Sequence, residues 1–182
     1  MAARVLALVY GLVSYVFFLV VFLYAVGFVA NVGVPRGIDG EATTSFLPAL
    51  AIDLVLLAIF AVQHSVMARP SFKRAWTRIV PPVVERSTFV LAASAALALL
   101  FWQWRPLGGV VWHVDTPWLR AALVAASVGG WLLVLVTTFL IDHFELFGLK
   151  QVWQGFRGTR PAAPRFVTPG PYRLVRHPLY LG

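Results

Sequence analysis

The sequence contains no cysteine and few charges. Without a thiol, disulfides, thiolate metal sites and cysteine nucleophiles are excluded, and the redox compartment cannot be read. Charged residues make up 12% of the chain, where a soluble domain carries about a quarter. That deficit points to a membrane. There is no Walker sequence and no GxGxxG following a strand, so a soluble-type nucleotide-binding domain is not expected. The four histidines, His64, His113, His143 and His177, form no pair at i, i+3 or i+4, the spacing that sets two ligands on one helix face, and no metal is expected. Internal repeats and low-complexity tracts are also missing.

What remains is overwhelmingly apolar: 60% of 182 residues. Four stretches, 5–30, 46–67, 87–104 and 119–141, approach or exceed the roughly 20 apolar residues that a helix needs to cross a bilayer. The runs are continuous rather than alternating, which selects helices over a barrel. The expected fold class is therefore all-α, a multi-pass transmembrane bundle of four spans in one domain over 1–182. The first run is far longer than the roughly 7–15 residues of a signal-peptide core, so it reads as a retained span.

The net charge of +8 suits a membrane protein's cytoplasmic face rather than a nucleic-acid partner. Between spans two and three lie Arg69, Lys73, Arg74, Arg78 and Arg86, with only Glu85 opposing. After span four come Lys150, Arg157, Arg160, Arg165, Arg173 and Arg176. The other two loops hold Arg36 against Asp39 and Glu41, and Arg105 against Asp115. The positive-inside rule places the N-terminus, the second loop and the C-terminal segment in the cytoplasm. Two cationic segments are amphipathic: Phe72, Trp76 and Ile79 or Val80 in one, Leu149, Val152, Trp153 and Phe156 in the other. Both suit helices lying in the headgroup region.

Polar residues inside spans are costly and usually face protein or a watery cavity. Asp53 sits in span two, with Gln63 and His64 near its other end. Span four carries Thr137 and Thr138, then exits through Asp142, His143 and Glu145. His64, Asp142 and His143 are the candidate catalytic residues. The plainer reading of the three is that they mark the water interface.

The chain closes on "TPGPYRLVRHPLYLG", residues 168–182. Pro169-Gly170-Pro171 form a turn, and Pro178 suits the first turn of a further helix. Arg173 and Arg176 offer forked donors for a carboxylate or phosphate, and Tyr172 and Tyr180 offer aromatic faces. A basic juxtamembrane anchor and a small-molecule pocket both fit these residues.

"GPYRLVRHPLYLG" resembles the RHPxY signature of the membrane methyltransferase superfamily that includes isoprenylcysteine carboxyl methyltransferases and phospholipid methyltransferases. "FAVQHSVMARPSFKRAWTRIVPPVVERSTFV", "LFWQWRP" and "LIDHFELFGLKQVW" are similar to the bacterial methanethiol S-methyltransferases, which convert methanethiol to dimethyl sulfide. The resemblance implies S-adenosylmethionine as cofactor, a small thiol as substrate, contact with membrane lipid, and a cytosolic cofactor segment over 166–182. It implies Tyr172, Arg173, Arg176, His177, Pro178, Tyr180 and Gly182 as cofactor-binding residues. Relatives continue past this motif with more membrane helix and a glutamate-containing motif, so the chain reads as truncated. Other readings remain open: an isoprenoid or phospholipid acceptor, a transport or structural membrane subunit, or a reductase using a nicotinamide cofactor. The oligomeric state is not legible.

Overall fold

The computed structural model describes residues 1–110 and 112–159. Among them all regular structure is helical: α1 (Ala2–Ala30), α2 (Phe46–Ala68), α3 (Pro70–Trp76), a short 3-10 turn (Pro82–Val84), α4 (Glu85–Gln103), α5 (Pro117–Ile141), α6 (His143–Leu146) and α7 (Leu149–Arg157). Four of these, counting the 3-10 turn with α4, are long and apolar enough to cross a membrane. They coincide with the four expected spans to within a few residues, and the chain is an all-α, multi-pass integral membrane protein. The expected start of a further helix near Pro178 lies outside the described residues.

The chain forms two compact units. One comprises 1–109 with the segment from Phe147, and the other begins at Val110 and runs through Leu146. In the first, α1 and α2 each pack on α4, and α7 packs on α1. Tyr10, early in α1, donates to Thr88, early in α4, at 3.0 Å. Asp53, early in α2, meets Arg105, just past α4. Helices α1 and α4 therefore run one way and α2 the other, with loop 31–45 and the segment after α4 at one end, and α3 and α7 at the opposite end.

Lipid tails are as apolar as leucine, so helices in a bilayer gain little from burying hydrophobic surface and instead associate through close packing of small residues. The buried positions follow that logic. Ser87, Val90, Ala93 and Ser94 make a stripe on α4, and Ser14 of α1 and Ala49 of α2 are fully enclosed. The hydroxyl of Ser14 is satisfied by its own helix, donating to the Tyr10 carbonyl at 2.8 Å. A larger apolar cluster, Val21, Phe28, Leu56, Leu100 and Phe101, sits toward the loop 31–45 end. Trp104 stands edge-on to Phe28 there and donates its indole N–H to the Ile38 carbonyl at 2.9 Å.

Two local expectations change. The amphipathic segment of the second loop stops being α-helical at Trp76, so Ile79 and Val80 lie beyond α3, and Ile79 is exposed. Pro81 and Pro82 explain the early stop, since each lacks an amide donor and the residue before a proline avoids the helical region. Helix α7 does form over the expected residues, but it is docked on α1 as well as amphipathic. Val152 is completely buried, and a Cβ added at Gly11 would fall 2.5 Å from its Cγ2. Phe147, just before α7, stacks on Phe18 of α1 with centroids 3.9 Å apart. Gly148 enters α7 at φ 87°, against Ser87. Trp153 and Phe156 remain exposed, with the Arg157 guanidinium 4.8 Å from the Trp153 ring centre.

In the second unit, α5 exposes apolar residues along most of its length, as a lipid-facing span does. It ends at Ile141, and α6 starts at His143 after a break at Asp142.

Candidate functional site

The break at the end of α5 builds the best-defined polar constellation of the second unit. Asp142 leaves helical geometry, and its Oδ1 accepts the backbone N–H of Glu145 at 3.0 Å. The carboxylate thereby satisfies a donor that a new helical turn leaves unpaired. The restart swings His143 back over the last turns of α5. Its ring lies parallel to Phe139, centroids 4.1 Å apart and planes 2° from coplanar, and Phe144 meets it edge-on. His143 is 3% exposed.

Thr138 decides the state of that imidazole. Its Oγ1 is 2.8 Å from His143 Nδ1 and 2.7 Å from the Leu135 carbonyl oxygen. A carbonyl only accepts, so the single hydroxyl proton of Thr138 goes to Leu135. Nδ1 then carries the hydrogen that Thr138 accepts, and the lone pair of the neutral ring is on Nε2. Burial pushes the His143 pKa below its ordinary value, because the charged ring loses hydration. The result is a neutral histidine with a basic Nε2, held in one tautomer: the state a general base needs before it acts.

His64 belongs to the first unit, on α2. Its ring tilts between Phe60 and Phe89, with centroids 5.5 Å and 5.1 Å away, on an exposed flank. The sequence pattern therefore resolves into Asp142 and His143, adjacent and mutually ordered by one helix break, and His64, set against two phenylalanines. Of the three, His143 is the one that is fully enclosed. Tyr172, Arg173, Arg176, His177, Pro178, Tyr180 and Gly182 lie outside the described residues. No group of three or more metal-ligating side chains occurs among the described residues.

The first unit has a second polar feature, at the end where α3 and α7 lie. Gln63 Oε1, Trp76 Nε1, Ser87 Oγ and Gln151 Oε1 are buried and have no hydrogen-bond partner. Buried polar atoms are normally paired, so two amide acceptors, an indole donor and a hydroxyl left unpaired on α2, α3, α4 and α7 stand out at this end of the unit. Of these, the sequence brings forward Gln63 as a polar residue in a span and Trp76 only as part of an amphipathic segment; serine and glutamine carry no spacing signal at 87 and 151. It marks Thr138 only as a polar residue in a span, and Phe139 not at all. The doublet Thr137-Thr138, six and five residues before a histidine, is the available clue.

Comparison with known proteins covers nearly the whole chain. Methanethiol S-methyltransferase of Mycobacterium tuberculosis is 53% identical over 98% of this chain, which spans 73% of that relative's length. Methanethiol S-methyltransferase 1 of Bradyrhizobium diazoefficiens is 52% identical over 98% of this chain, which spans 63% of that relative. Mouse nurim is 38% identical over 60% of this chain and 44% of its own length. No protein-family model matches, and no solved structure matches.

Proposed function

This chain belongs to the family of methanethiol S-methyltransferases, and from that premise we propose that it transfers a methyl group from S-adenosylmethionine to a small thiol, methanethiol above all, giving dimethyl sulfide. The identity above 50% over 98% of the chain to relatives of that name carries the reading. Because the chain spans only about two thirds of some of those relatives, the activity is proposed for the protein as a whole.

S-adenosylmethionine supplies, when bound, a methyl group on a sulfonium that a sulfur nucleophile can displace. The task of the chain is then to hold the reactants, exclude water and help the thiol lose its proton. A thiolate is the reactive form, and a simple thiol is mostly protonated at neutral pH. His143 is the proposed base: its Nε2 lone pair is set by Thr138 and its ring is positioned by Phe139. Asp142 orders the turn that presents it. His64 is kept as a second candidate, with only its aromatic setting in support. Arg173 and Arg176 are proposed to pair with the cofactor's carboxylate, with Tyr172, His177, Pro178, Tyr180 and Gly182 completing that segment. We further propose that the arginine-rich end with α3 and α7 faces the cytoplasm, where such a cofactor is made.

The test is methyl transfer by the purified full-length protein in nanodiscs, with labelled cofactor and three acceptors: methanethiol, a prenylcysteine and a phospholipid. Dimethyl sulfide should form and the other two should stay unlabelled, with Arg176→Ala weakening cofactor binding about tenfold or more, the loss of a charged hydrogen bond. Absence of cofactor binding, or transfer only to a prenylcysteine or lipid, would sink the proposal.

A further inference from the structure

The end of the first unit remote from α3 and α7 carries a feature that methyl transfer to a thiol does not use. Loop 31–45 and the residues after α4 enclose a cup of about 540 Å³, lined by Arg36, Asp39, Thr43, Thr44 and Arg105 among others. Directly beside it, a groove of about 370 Å³ runs between α1 and α4, walled by Phe17, Val20, Tyr24, Phe101 and Trp102. The two share Pro35 and Arg36. One cavity carries charged and hydroxyl side chains among proline, glycine and tryptophan, the other is almost wholly apolar, and an arginine stands where they meet.

Both parts are held in shape. Arg36 donates to the Trp102 carbonyl, and Tyr24 donates to the Arg36 carbonyl at 3.2 Å. Asp53, 3% exposed within α2, accepts the Arg105 backbone N–H at 3.0 Å and so fixes the opposite wall of the cup. The Arg105 guanidinium reaches Gln103 Oε1 at 3.2 Å. Asp39 is clamped by Asn31, whose Nδ2 donates to Oδ2 and whose Oδ1 accepts the Asp39 N–H, both at 3.0 Å. This gives Asp53, costly to bury in a span, a structural role through Oδ1, while its Oδ2 is buried without a partner.

The charges are of both signs. Two arginines, whose guanidiniums are forks of donors suited to phosphate, line the cup with Asp39, while Asp53 holds the Arg105 backbone behind it. A purely anionic ligand would be opposed by those carboxylates; a zwitterion would be matched. The groove asks for something apolar and extended. From Phe17 to Tyr24 it follows α1 for about 10 Å, and Val20 and Trp102 on its rim are exposed, open to the lipid that surrounds a spanning helix.

We propose that this cup and groove form a phospholipid site for a zwitterionic, amine-bearing lipid, its phosphate on Arg36 and Arg105, its ammonium toward Asp39 and one acyl chain in the groove between α1 and α4. The site stands apart from the methyltransferase reading and holds whether or not that reading does.

Dioctanoyl phosphatidylethanolamine, added to the purified full-length protein in detergent and followed by native mass spectrometry, should be retained at one molecule per chain. O-Phosphoethanolamine lacks the tails, dioctanoylglycerol lacks the headgroup, and dioctanoyl phosphatidylglycerol lacks the ammonium. Each should bind at least tenfold more weakly. The double variant Arg36→Gln/Arg105→Gln should lose retention tenfold or more. Val20→Trp, which fills the groove from an exposed position and spares the cup, should lose it as well. Equal binding of any of the three partial ligands overturns the assignment, as does full retention by either variant that melts like the wild type.

Discussion

A single hydroxyl sets the tautomer of the histidine at the end of α5. Thr138 has one proton and two neighbours, and the carbonyl of Leu135 takes it, which leaves His143 to donate from Nδ1. Thr138→Val keeps the shape but leaves a buried N–H without an acceptor, a penalty of about 1–3 kcal/mol. Stability and kcat should fall together, and Thr138→Ser should restore both; melting curves and initial rates on one preparation measure this. His143→Gln should lower kcat by about 10²–10⁴, the usual contribution of a general base, with a smaller effect on cofactor binding. If kcat is unchanged, the base lies elsewhere and His64 is next.

The same histidine gives a pH signature. Its folded pKa is below the ordinary value of about 6.5. As pH falls through that ordinary value, the unfolded chain takes up a proton that the folded chain resists. The unfolded state then binds more protons, so stability drops, while above about pH 6.5 the contribution is complete. Melting temperature should therefore decline from pH 7.5 to pH 5.5 more steeply in the wild type than in His143→Gln. Equal slopes would show that the ring is hydrated in the fold.

At the scale of elements, the attachment of α7 to α1 rests on a glycine. Val152 fills the space a side chain at Gly11 would need. Gly11→Leu should cost at least the roughly 1–3 kcal/mol of an overpacked contact, read as a lower melting temperature in detergent. Val152→Ala in the same chain should recover part of the loss, whereas Val152→Ala alone destabilises by opening a cavity. Additive effects would mean the two residues do not touch. The boundaries of α7 were legible in its apolar spacing, because amphipathicity is a local property. Its docking was not, since Gly11 and Val152 are far apart in sequence and glycine in an apolar run gives no hint of what it faces. The stop of α3 at Trp76 was written in Pro81 and Pro82, but the apolar spacing of Ile79 and Val80 masked it.

For the molecule as a whole, the charge distribution predicts an orientation. The chain has no cysteine, so single cysteines can report sidedness without background. Ile79→Cys, in the exposed loop after α3, should react with an impermeant maleimide only from the cytoplasmic side, and Thr43→Cys only from the other. The reverse pattern would invert the topology, and with it the proposed side of the cofactor segment. The four spans and the all-α class are legible in the sequence because the length of an apolar run is a one-dimensional quantity and lipid leaves few other solutions. The family is legible for a similar reason, since its signatures are contiguous strings.

Composition and run length by themselves determined that this is a helical membrane protein, and where its spans fall. They also brought His64, Asp142 and His143 forward, because a polar residue near a span is conspicuous. Only the tertiary structure separated those three. It buried His143 under Phe139, gave it a tautomer through Thr138, and left His64 on an outer flank. It also gathered Arg36, Asp53 and Arg105 at one end of a unit. Such meetings arise from long-range packing between helices, where contact depends on which faces turn together, and no spacing along the chain encodes that.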